Sequence, residues 1–536
     1  MQCDIVLSWF TPAGLTMKGK KIPLKLSPWK SFHPCIIHTS QSSTYLKNGV
    51  EGDLGVEMET FQRDVKKRER KNEVVNEKMS SIPSEPPPMT VRNGISIIAG
   101  TAIGGGFLAL PSVTAPIGYG PTFLGLILSW MFLTFSSHAF IEAAGLASDV
   151  RSHRNLYNGE NVETDVRKST ISSIIMEAFG KRWGIVVGVA FVCQLLAVMT
   201  IQIVKGASII SQMSHMSYAA ACFIPPILAA SFAYFTEPEI VESGNSVLTG
   251  MMIGGFLLLC VSTLTIGNHS LNVQTNRFSF TQNNWDSLLP STRATWSIPV
   301  LMKLLAWGEA MPLLTERMVE ATSRSDGANP ESIKVRTKAQ MKARTTTTLG
   351  SFIPLMLCLI WAAISTILIN PLSASDPISY LLSLSMPISV PVAFLSFGAI
   401  GTTLLGSFLA MGHFTSDILS ALTNRGVSVS KWTKYAKLLT VLVPCVCAYF
   451  GPGLYLPLLA FAGAYPTTLL YGLAPSLAAI ILRKRAHKEM IDEFRLTPNL
   501  LPGGIKSLTF LSVTSVGIIV SCTSLALQSI LKTYIS

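Results

Sequence analysis

The sequence predicts an all-α polytopic membrane protein, and three observations support that fold class. Charged residues make up only 13% of the 536 residues, whereas ordinary globular chains carry roughly 25%. Apolar stretches of about 20 residues, the length that crosses a bilayer core, recur between polar or Pro/Gly breaks. Basic residues cluster in alternate connections, as expected when Lys and Arg stay on one side of a membrane. This composition excludes a disordered chain, a coiled coil, a disulfide-stapled module and a nucleic-acid-binding domain.

The apolar stretches predict about eleven transmembrane helices, with ten or twelve left open. The predicted spans lie near 93–115, 119–147, 183–211, 218–236, 244–266, 296–318, 350–369, 386–411, 436–451, 456–482 and 507–531. The ninth is short, and the sixth carries Lys303, Glu309 and Glu316. Those two spans are therefore the weakest of the set.

The basic clusters predict the orientation of the chain. They follow spans two, six, eight and ten, and the N-terminal region is basic as well. Because Lys and Arg resist translocation, we expect these segments and the N-terminus on the side of synthesis, in cytosol, stroma or matrix. An odd number of spans then puts the C-terminus on the opposite side.

Residues 1–50 have the composition of an organelle transit peptide. Their only acidic residue is Asp4, Lys and hydroxyl residues are frequent, and the first arginine is Arg63. The absence of early arginine favours a plastid leader over a mitochondrial one. We therefore expect the plastid (chloroplast) inner envelope, with the N-terminus in the stroma. A disordered cytosolic tail is the alternative, and the membrane is then the plasma membrane or that of another organelle.

Residues 51–90 are predicted to form a disordered polar linker ahead of the first span. The basic run at 63–71, RDVKKRERK, is more typical of a solvated juxtamembrane stretch than of a nucleic-acid patch. The following SSIPSEPPP at 80–88 favours a stiff, extended chain. The membrane domain is expected to cover 91–531.

The segment from Gly100 to Pro111, GTAIGGGFLALP, predicts a break in the first span. It has four glycines in seven residues near the middle of an apolar stretch, and each weakens a helix by about 1 kcal/mol relative to Ala. Irregular backbone at this depth is tolerated where it lines a polar cavity. A GxxxG packing face at Gly100 and Gly104 is an alternative. A phosphate loop is disfavoured because no GK[ST] follows.

The sixth span carries a second interruption, at 306–312. Its sequence AWGEAMP combines a glycine, a carboxylate and a proline within five residues. Broken helices in corresponding positions of two halves indicate an inverted-repeat secondary transporter. We expect five plus five helices, at about 93–266 and 296–482, and one extra helix at about 507–531. Half-helix N-termini favour a ligand with a carboxylate, so an amino-acid-like solute is predicted.

The motif GTAIGGGFLALP resembles the first-helix signature of the tyrosine- and tryptophan-specific permeases, a family with the amino acid/polyamine/organocation transporter fold. The eleven-span plan and the basic connection after span six are also similar, so the resemblance covers about 90–531. It implies transport of aromatic or related neutral amino acids. The family tends to carry a Gly-Phe-His-Gly-type sequence in span six, where this chain has Ala306-Trp307-Gly308-Glu309 and no histidine. That departure leaves the side-chain selectivity and the coupling ion open.

The candidate substrate-binding residues come from the two breaks and from span three. They are Gly100, Thr101, Ala102, Ile103, Gly104, Gly105, Gly106, Gln194, Ala306, Trp307 and Gly308. Trp307 could stack on an aromatic solute or simply pack in the core. Gln194 could contact the solute or form an interhelical hydrogen bond.

Glu309, Thr402 and Thr403 are the candidate coupling residues. A carboxylate near the bilayer centre costs about 2.5–3.5 kcal/mol or more, so Glu309 is either a proton carrier or a structural partner of Lys303. The two threonines could complete a sodium site between spans one and eight, or bond their own backbone. His138, Glu142, His413 and Asp417 are expected to be boundary residues.

The predicted activity is therefore proton-coupled symport of an amino acid, with sodium as the alternative ion. A non-transporting sensor or scaffold with the same fold is the rival hypothesis. Cysteines and histidines lack CxxC and HExxH spacing, so no metal site, cofactor or enzymatic activity is expected.

Overall fold

The computed structural model describes residues 89–158, 171–267, 285, 297–327, 332–369, 376–422, 429–489 and 500–535. All regular secondary structure in these ranges is helical. The predicted leader at 1–50 and nearly all of the linker lie outside the described residues. They stay predictions.

The first half of the described chain contains eight α-helices. They are α1 Val91–Ala102, α2 Leu110–Ile117, α3 Tyr119–Asn158, α4 Ile171–Phe179, α5 Lys181–Ser214, α6 Tyr218–Ala221, α7 Ile224–Phe235 and α8 Pro238–Gly267. A 3-10 turn, Gly105–Ala109, lies between α1 and α2. The two parts of this first span meet at an angle of 43°.

The second half contains nine more. They are α9 Ser297–Leu304, α10 Met311–Asp326, α11 Ile333–Leu368, α12 Pro377–Ser383, α13 Met386–Leu422, α14 Val429–Phe450, α15 Tyr455–Ala462, α16 Ala474–Glu489 and α17 Ile505–Ile535. A 3-10 turn, Gly308–Ala310, separates α9 from α10. Two π-helical stretches, Gly463–Thr467 and Leu469–Leu473, connect α15 to α16.

Within the described ranges, nine helical stretches are long and apolar enough to cross a membrane, and the bent first pair adds a tenth. The apolar helix Leu438–Phe450 is shorter and falls at the weak ninth predicted span. Several helices extend past the apolar stretches; α11 begins at Ile333, some 17 residues before the predicted span. Hydropathy locates only the part of a helix that matches the thickness of the bilayer, which is why the helices are longer than the predicted spans. Because nine or ten described helices meet the criterion for a span, the count of eleven stays a prediction.

The helix α4 lies in the connection after the second span, where no element was expected. Its buried residues are Ile171, Ile174, Ile175 and Ala178, the i, i+3, i+4, i+7 spacing of an amphipathic helix. It packs against α5 and α16. The periodicity was visible in the sequence, but nine residues are too few for a span-length search.

The packing of the long helices encloses the two interrupted ones. The helix α11 packs on α1 and α3, whereas α13 packs on α5 and α8. The turn Gly105–Ala109 contacts both α9 and α13. Large apolar side chains such as Ile185, Leu257 and Phe510 stay exposed on the outer helices, as expected for surfaces that face lipid.

Candidate functional site

A cavity of about 110 Å³ lies where the two broken helices meet. One buried water molecule needs only roughly 10–15 Å³ measured in the same way, so the cavity admits a solute of several heavy atoms. It brings together ten of the fourteen candidate residues: Thr101, Ala102, Ile103, Gly104, Gly105, Gly106, Ala306, Glu309, Thr402 and Thr403. Leu195, Gln202, Lys303 and Leu459 are among the other residues that line it.

Both interruptions expected from the glycine and proline patterns are present. The helix α1 ends at Ala102, and Gly104 is extended with φ −152° and ψ −165°. The helix α9 ends at Leu304, and Trp307 precedes the next turn with φ −116° and ψ 7°. Each break exposes backbone groups that would otherwise be bonded within the helix.

Neighbouring side chains bond the backbone released at the first break. Thr403 Oγ1 accepts a hydrogen bond of 2.7 Å from the Gly105 N–H. Trp361, which is fully buried, donates through Nε1 to the Phe107 carbonyl at 3.0 Å. The unwound segment is therefore bonded to α11 and α13, which accounts for its persistence at membrane depth.

Gln202 forms the wall of the cavity beside the first break. Its side chain is 2% exposed, and a methyl group added at Gly105 would lie 1.9 Å from its Oε1. That oxygen has no hydrogen-bond partner within the described residues. A buried amide oxygen without a partner is costly, and it is therefore suited to accept a hydrogen bond from a solute.

At the second break, Glu309 lies in a cluster of polar groups. Gln194 Nε2 donates to Glu309 Oε1 at 3.0 Å and lies 3.4 Å from the Tyr471 hydroxyl. Lys303 Nζ is 3.7 Å from the same Oε1. Tyr471 belongs to the second π-helical stretch, an irregularity often found at functional sites. A side chain at Gly308 would meet the Tyr471 ring at 2.2 Å, so glycine permits this close approach.

Four candidate residues do not line the cavity. Gly100 lies within α1 with open space where a Cβ would be. Gln194 is fully buried behind Glu309, and Gly308 packs against Tyr471. Trp307 is 1% exposed and donates through Nε1 to Ser137 Oγ at 2.9 Å. The structure thus puts the Trp307 ring in the core, against α3.

The threonines on α13 hydrogen-bond to their own helix. Thr402 and Thr403 donate to the Ala399 carbonyl at 3.2 and 2.8 Å, which was the alternative to an ion site. Thr403 also accepts from Gly105, so it joins α13 to the first break. Among the residues the structure describes, no group of three His, Cys, Asp or Glu side chains could hold a metal ion.

Sequence reasoning missed a second polar cluster, one helical turn beyond the cavity on α5. Lys205 Nζ lies 2.6 and 2.7 Å from the two carboxylate oxygens of Asp376, and 5.2 Å from the centre of the Tyr455 ring. Burial alone would raise the pKa of Asp376. The Lys205 ammonium and hydrogen bonds from Ser379 and the Ile378 N–H outweigh that effect, and its pKa lies below the ordinary value. An ammonium within a predicted span was the available signal.

Glu142 was expected at the membrane boundary, but the structure buries it completely. It pairs with Arg483 on α16 and accepts from the Leu500 N–H at 3.1 Å. Nearby, Asp149 pairs with Arg336 at 2.8 Å, and His138 contacts Thr348 at 3.2 Å. Each partner lies more than 150 residues away along the chain, so spacing could not reveal these contacts. The side chains of His413 and Asp417 lie outside the described residues.

Three bacterial proteins are similar to part of this chain. A tryptophan-specific transport protein of Haemophilus influenzae is 25% identical over 175 residues, which are 31% of this chain and 38% of that protein. The tyrosine-specific transport system 1 of the same organism is 27% identical over 165 residues, or 30% and 36%. A tryptophan-specific transport protein of Pseudomonas aeruginosa is 27% identical over 185 residues, or 34% and 40%. The matched part spans about two fifths of these relatives.

Solved structures with a similar course of the chain include two of the Eremococcus coleocola manganese transporter. One, in complex with an aromatic bis-isothiourea substituted compound, covers 82% of this chain and 93% of that one, at 11% identity and a TM-score of 0.48. The other, a mutant, covers 84% and 96% at 13% identity and a TM-score of 0.45.

The model of the tryptophan/tyrosine permease family matches residues 89–314 and 328–521. The matched residues include both breaks and the entire cavity lining. Together with the long apolar helices, this match describes a multi-pass integral membrane protein. This chain belongs to the tryptophan/tyrosine permease family.

Proposed function

We propose that this protein is a secondary active transporter of aromatic or related neutral amino acids, coupled to protons and working by alternating access. The observation that carries the proposal is the cavity of about 110 Å³ between the interrupted first and sixth spans. Broken helices around a central polar cavity are typical of inverted-repeat transporters. The similarity of part of the chain to tryptophan- and tyrosine-specific transport proteins supports this solute class.

The two breaks provide complementary groups for an amino acid. The ends of α1 and α9 leave carbonyl groups near the cavity, whereas the turn Gly105–Ala109 begins with backbone N–H groups beside it, the first of which donates to Thr403. Carbonyl ends favour an ammonium group and N–H ends favour a carboxylate. The unpartnered Gln202 Oε1 adds an acceptor. Apolar residues such as Leu195, Val198, Ile201 and Leu459 line the cavity and would receive the side chain.

Glu309 is the proposed proton carrier. Its side chain is 31% exposed, lines the cavity and lies beside both Gln194 and Lys303. A carboxyl group that alternates between an aqueous and an occluded environment can bind a proton in one and release it in the other. Sodium at Thr402 and Thr403 is the alternative. Rocking of one helical bundle against the other would alternate the access.

The proposal also includes the membrane in which the protein lies and the side of that membrane on which its N-terminus lies. The acid-poor start of the chain supports a plastid inner envelope, and the basic connections support a stromal N-terminus. Export of amino acids from the organelle is then the working direction. Import of the tagged protein into isolated chloroplasts, followed by protease treatment, tests both points.

Transport is tested with purified protein in proteoliposomes and labelled tryptophan or tyrosine. We expect accumulation driven by a pH gradient and not by a sodium gradient. Binding without gradient-driven accumulation would favour a sensor or scaffold instead. Glu309→Gln should abolish proton-driven accumulation while leaving exchange of labelled for unlabelled tryptophan.

Glu320→Gln is the matched control for Glu309. It lies on α10, outside the cavity, in a half-exposed pair with Arg317 at 3.6 Å, where ion pairs contribute little. We expect it to transport like the unmodified protein. Unchanged proton-driven uptake in Glu309→Gln would exclude Glu309 as the carrier.

A further inference from the structure

We propose that Lys303 binds the carboxylate of the transported solute and thereby limits the site to solutes that carry one. The inference rests on the proposed amino-acid transport and names the residue that binds the carboxylate end of the substrate. Lys303 belongs to the last turn of α9, directly before the second break. Its side chain is 11% exposed and lines the cavity together with Glu309.

The contact between Lys303 and Glu309 is loose. The 3.7 Å from Nζ to Oε1 exceeds the roughly 2.7–2.9 Å of a hydrogen bond between an ammonium and a carboxylate. The same Oε1 accepts a 3.0 Å hydrogen bond from Gln194. An ammonium group has three donors, and one oxygen at this distance does not satisfy them. Lys303 therefore has donors to offer to a ligand in the cavity.

Among the described residues, Lys205 is a second buried lysine within a membrane-spanning helix, and it provides the contrast. It is 3% exposed, and both Asp376 oxygens lie within 2.7 Å of its Nζ. In that geometry the carboxylate already bonds the ammonium through both of its oxygens, as in a structural ion pair. Both ammonium groups are costly within a membrane, but only Lys303 combines a long contact with a place on the cavity wall.

The charge of the site favours a zwitterion. The formal charges of Lys303 and an ionised Glu309 cancel, and a zwitterionic amino acid adds no net charge to the cavity. An amine without a carboxylate would add an uncompensated positive charge beside Lys303, which is unfavourable where the dielectric constant is low. Lys303 thus attracts the carboxylate and repels solutes that have only the ammonium group.

The test compares tryptophan with tryptamine, which has the same ring system and ammonium group but no carboxylate. Each unlabelled compound competes with labelled tryptophan for the purified protein in proteoliposomes. The variants are Lys303→Met, Lys303→Arg as the matched control that keeps the charge, and Lys303→Met/Glu309→Gln. The double variant removes both charges and so avoids leaving an orphan carboxylate in the core.

We expect the unmodified protein to prefer tryptophan strongly. In Lys303→Met the affinity for tryptophan should fall about 10- to 100-fold, the size expected for a lost hydrogen bond to a charged group. The affinity for tryptamine should be unchanged or higher, so the preference collapses. The double variant should show the same collapse, and Lys303→Arg should retain most of the preference.

Two results would overturn the inference, and they have different meanings. If Lys303→Met or the double variant binds tryptophan but keeps the full preference over tryptamine, Lys303 serves only to neutralise Glu309. If the unmodified protein neither binds nor transports any amino acid of an aromatic and neutral panel, the proposed function itself fails. Thermal melts of each variant separate loss of binding from loss of folding.

Discussion

The backbone N–H of Gly105 donates a 2.7 Å hydrogen bond to Oγ1 of Thr403, a residue 298 positions later in the chain. This contact joins the unwound part of the first span to α13 at the wall of the cavity. Gln202 packs against the other side of the same glycine. The break is therefore held by tertiary contacts, and its shape depends on side chains from α5 and α13.

Gly105→Ala should impair transport strongly, because the new methyl group would lie 1.9 Å from Gln202 Oε1. Overpacking of this kind costs about 1–3 kcal/mol, and it would also displace a wall of the cavity. We expect tryptophan uptake in proteoliposomes to fall at least about 10-fold. The matched control is Gly100→Ala in the same segment, where the added methyl group would have no atom of a neighbouring helix within 4 Å. If Gly105→Ala and Gly100→Ala lowered tryptophan uptake equally, the contact between Gly105 and Gln202 would not be what limits transport.

Thr403→Val should destabilise the protein, because the Gly105 N–H loses its acceptor. A buried donor without a partner costs about 1–3 kcal/mol, which should lower the midpoint of thermal unfolding. Thr403→Ser keeps the hydroxyl group and should behave nearly like the unmodified protein. Thr402→Val removes only a bond to the Ala399 carbonyl and should be milder. If the unmodified protein showed sodium-driven uptake and Thr402→Val lost it, a sodium site at Thr402 would be supported instead.

Asp376→Asn should destabilise the protein because it leaves the Lys205 ammonium buried without its counter-charge. We expect a loss below the roughly 3–5 kcal/mol of fully buried pairs, since the Asp376 side chain is 33% exposed. Lys205→Met/Asp376→Asn should recover part of that loss. Thermal melts of the unmodified protein, Asp376→Asn, Lys205→Met and the double variant at neutral pH measure the difference. Full additivity of the two single changes would argue against the pairing.

The stabilisation from Asp376 should depend on pH. Its pKa is lower in the folded protein than the ordinary value, so the stabilisation is fully present above the unfolded pKa of about 3.9. It is lost as the pH falls through the lower, folded pKa. The difference in melting temperature between the unmodified protein and Asp376→Asn should be constant above about pH 5 and shrink below it. A difference that grows on acidification would refute this sign.

Trp307→Phe should lower stability without changing selectivity, because Trp307 is buried and bonds Ser137 away from the cavity. The loss of one buried hydrogen bond partner costs about 1–3 kcal/mol, which melting experiments detect. Competition by tyrosine, phenylalanine and tryptophan against labelled tryptophan should keep its order. A changed order of affinities would show that Trp307 contributes to substrate binding.

The local pattern was sufficient to locate the two interruptions. Glycines at 104–106 and Pro312 after Gly308 weaken a helix through backbone entropy and missing hydrogen bonds, and both effects act within a few residues. Eight of the ten candidate residues on the cavity wall come from these two breaks, whereas Thr402 and Thr403 were expected there as an ion site between spans one and eight. It could not tell Gly100, which faces open space, from Gly105, which is packed against Gln202.

Only the tertiary structure decided which side chains meet. Sequence alone determined that this chain forms apolar helices, with breaks in its first and sixth spans, because hydrophobic length and helix propensity are properties of neighbouring residues. The contacts of Thr403 with Gly105, Lys205 with Asp376 and Glu142 with Arg483 join segments more than 150 residues apart. Hydrogen bonds and ion pairs of that kind form only after the helices have packed, so no periodicity or spacing in the sequence encodes them.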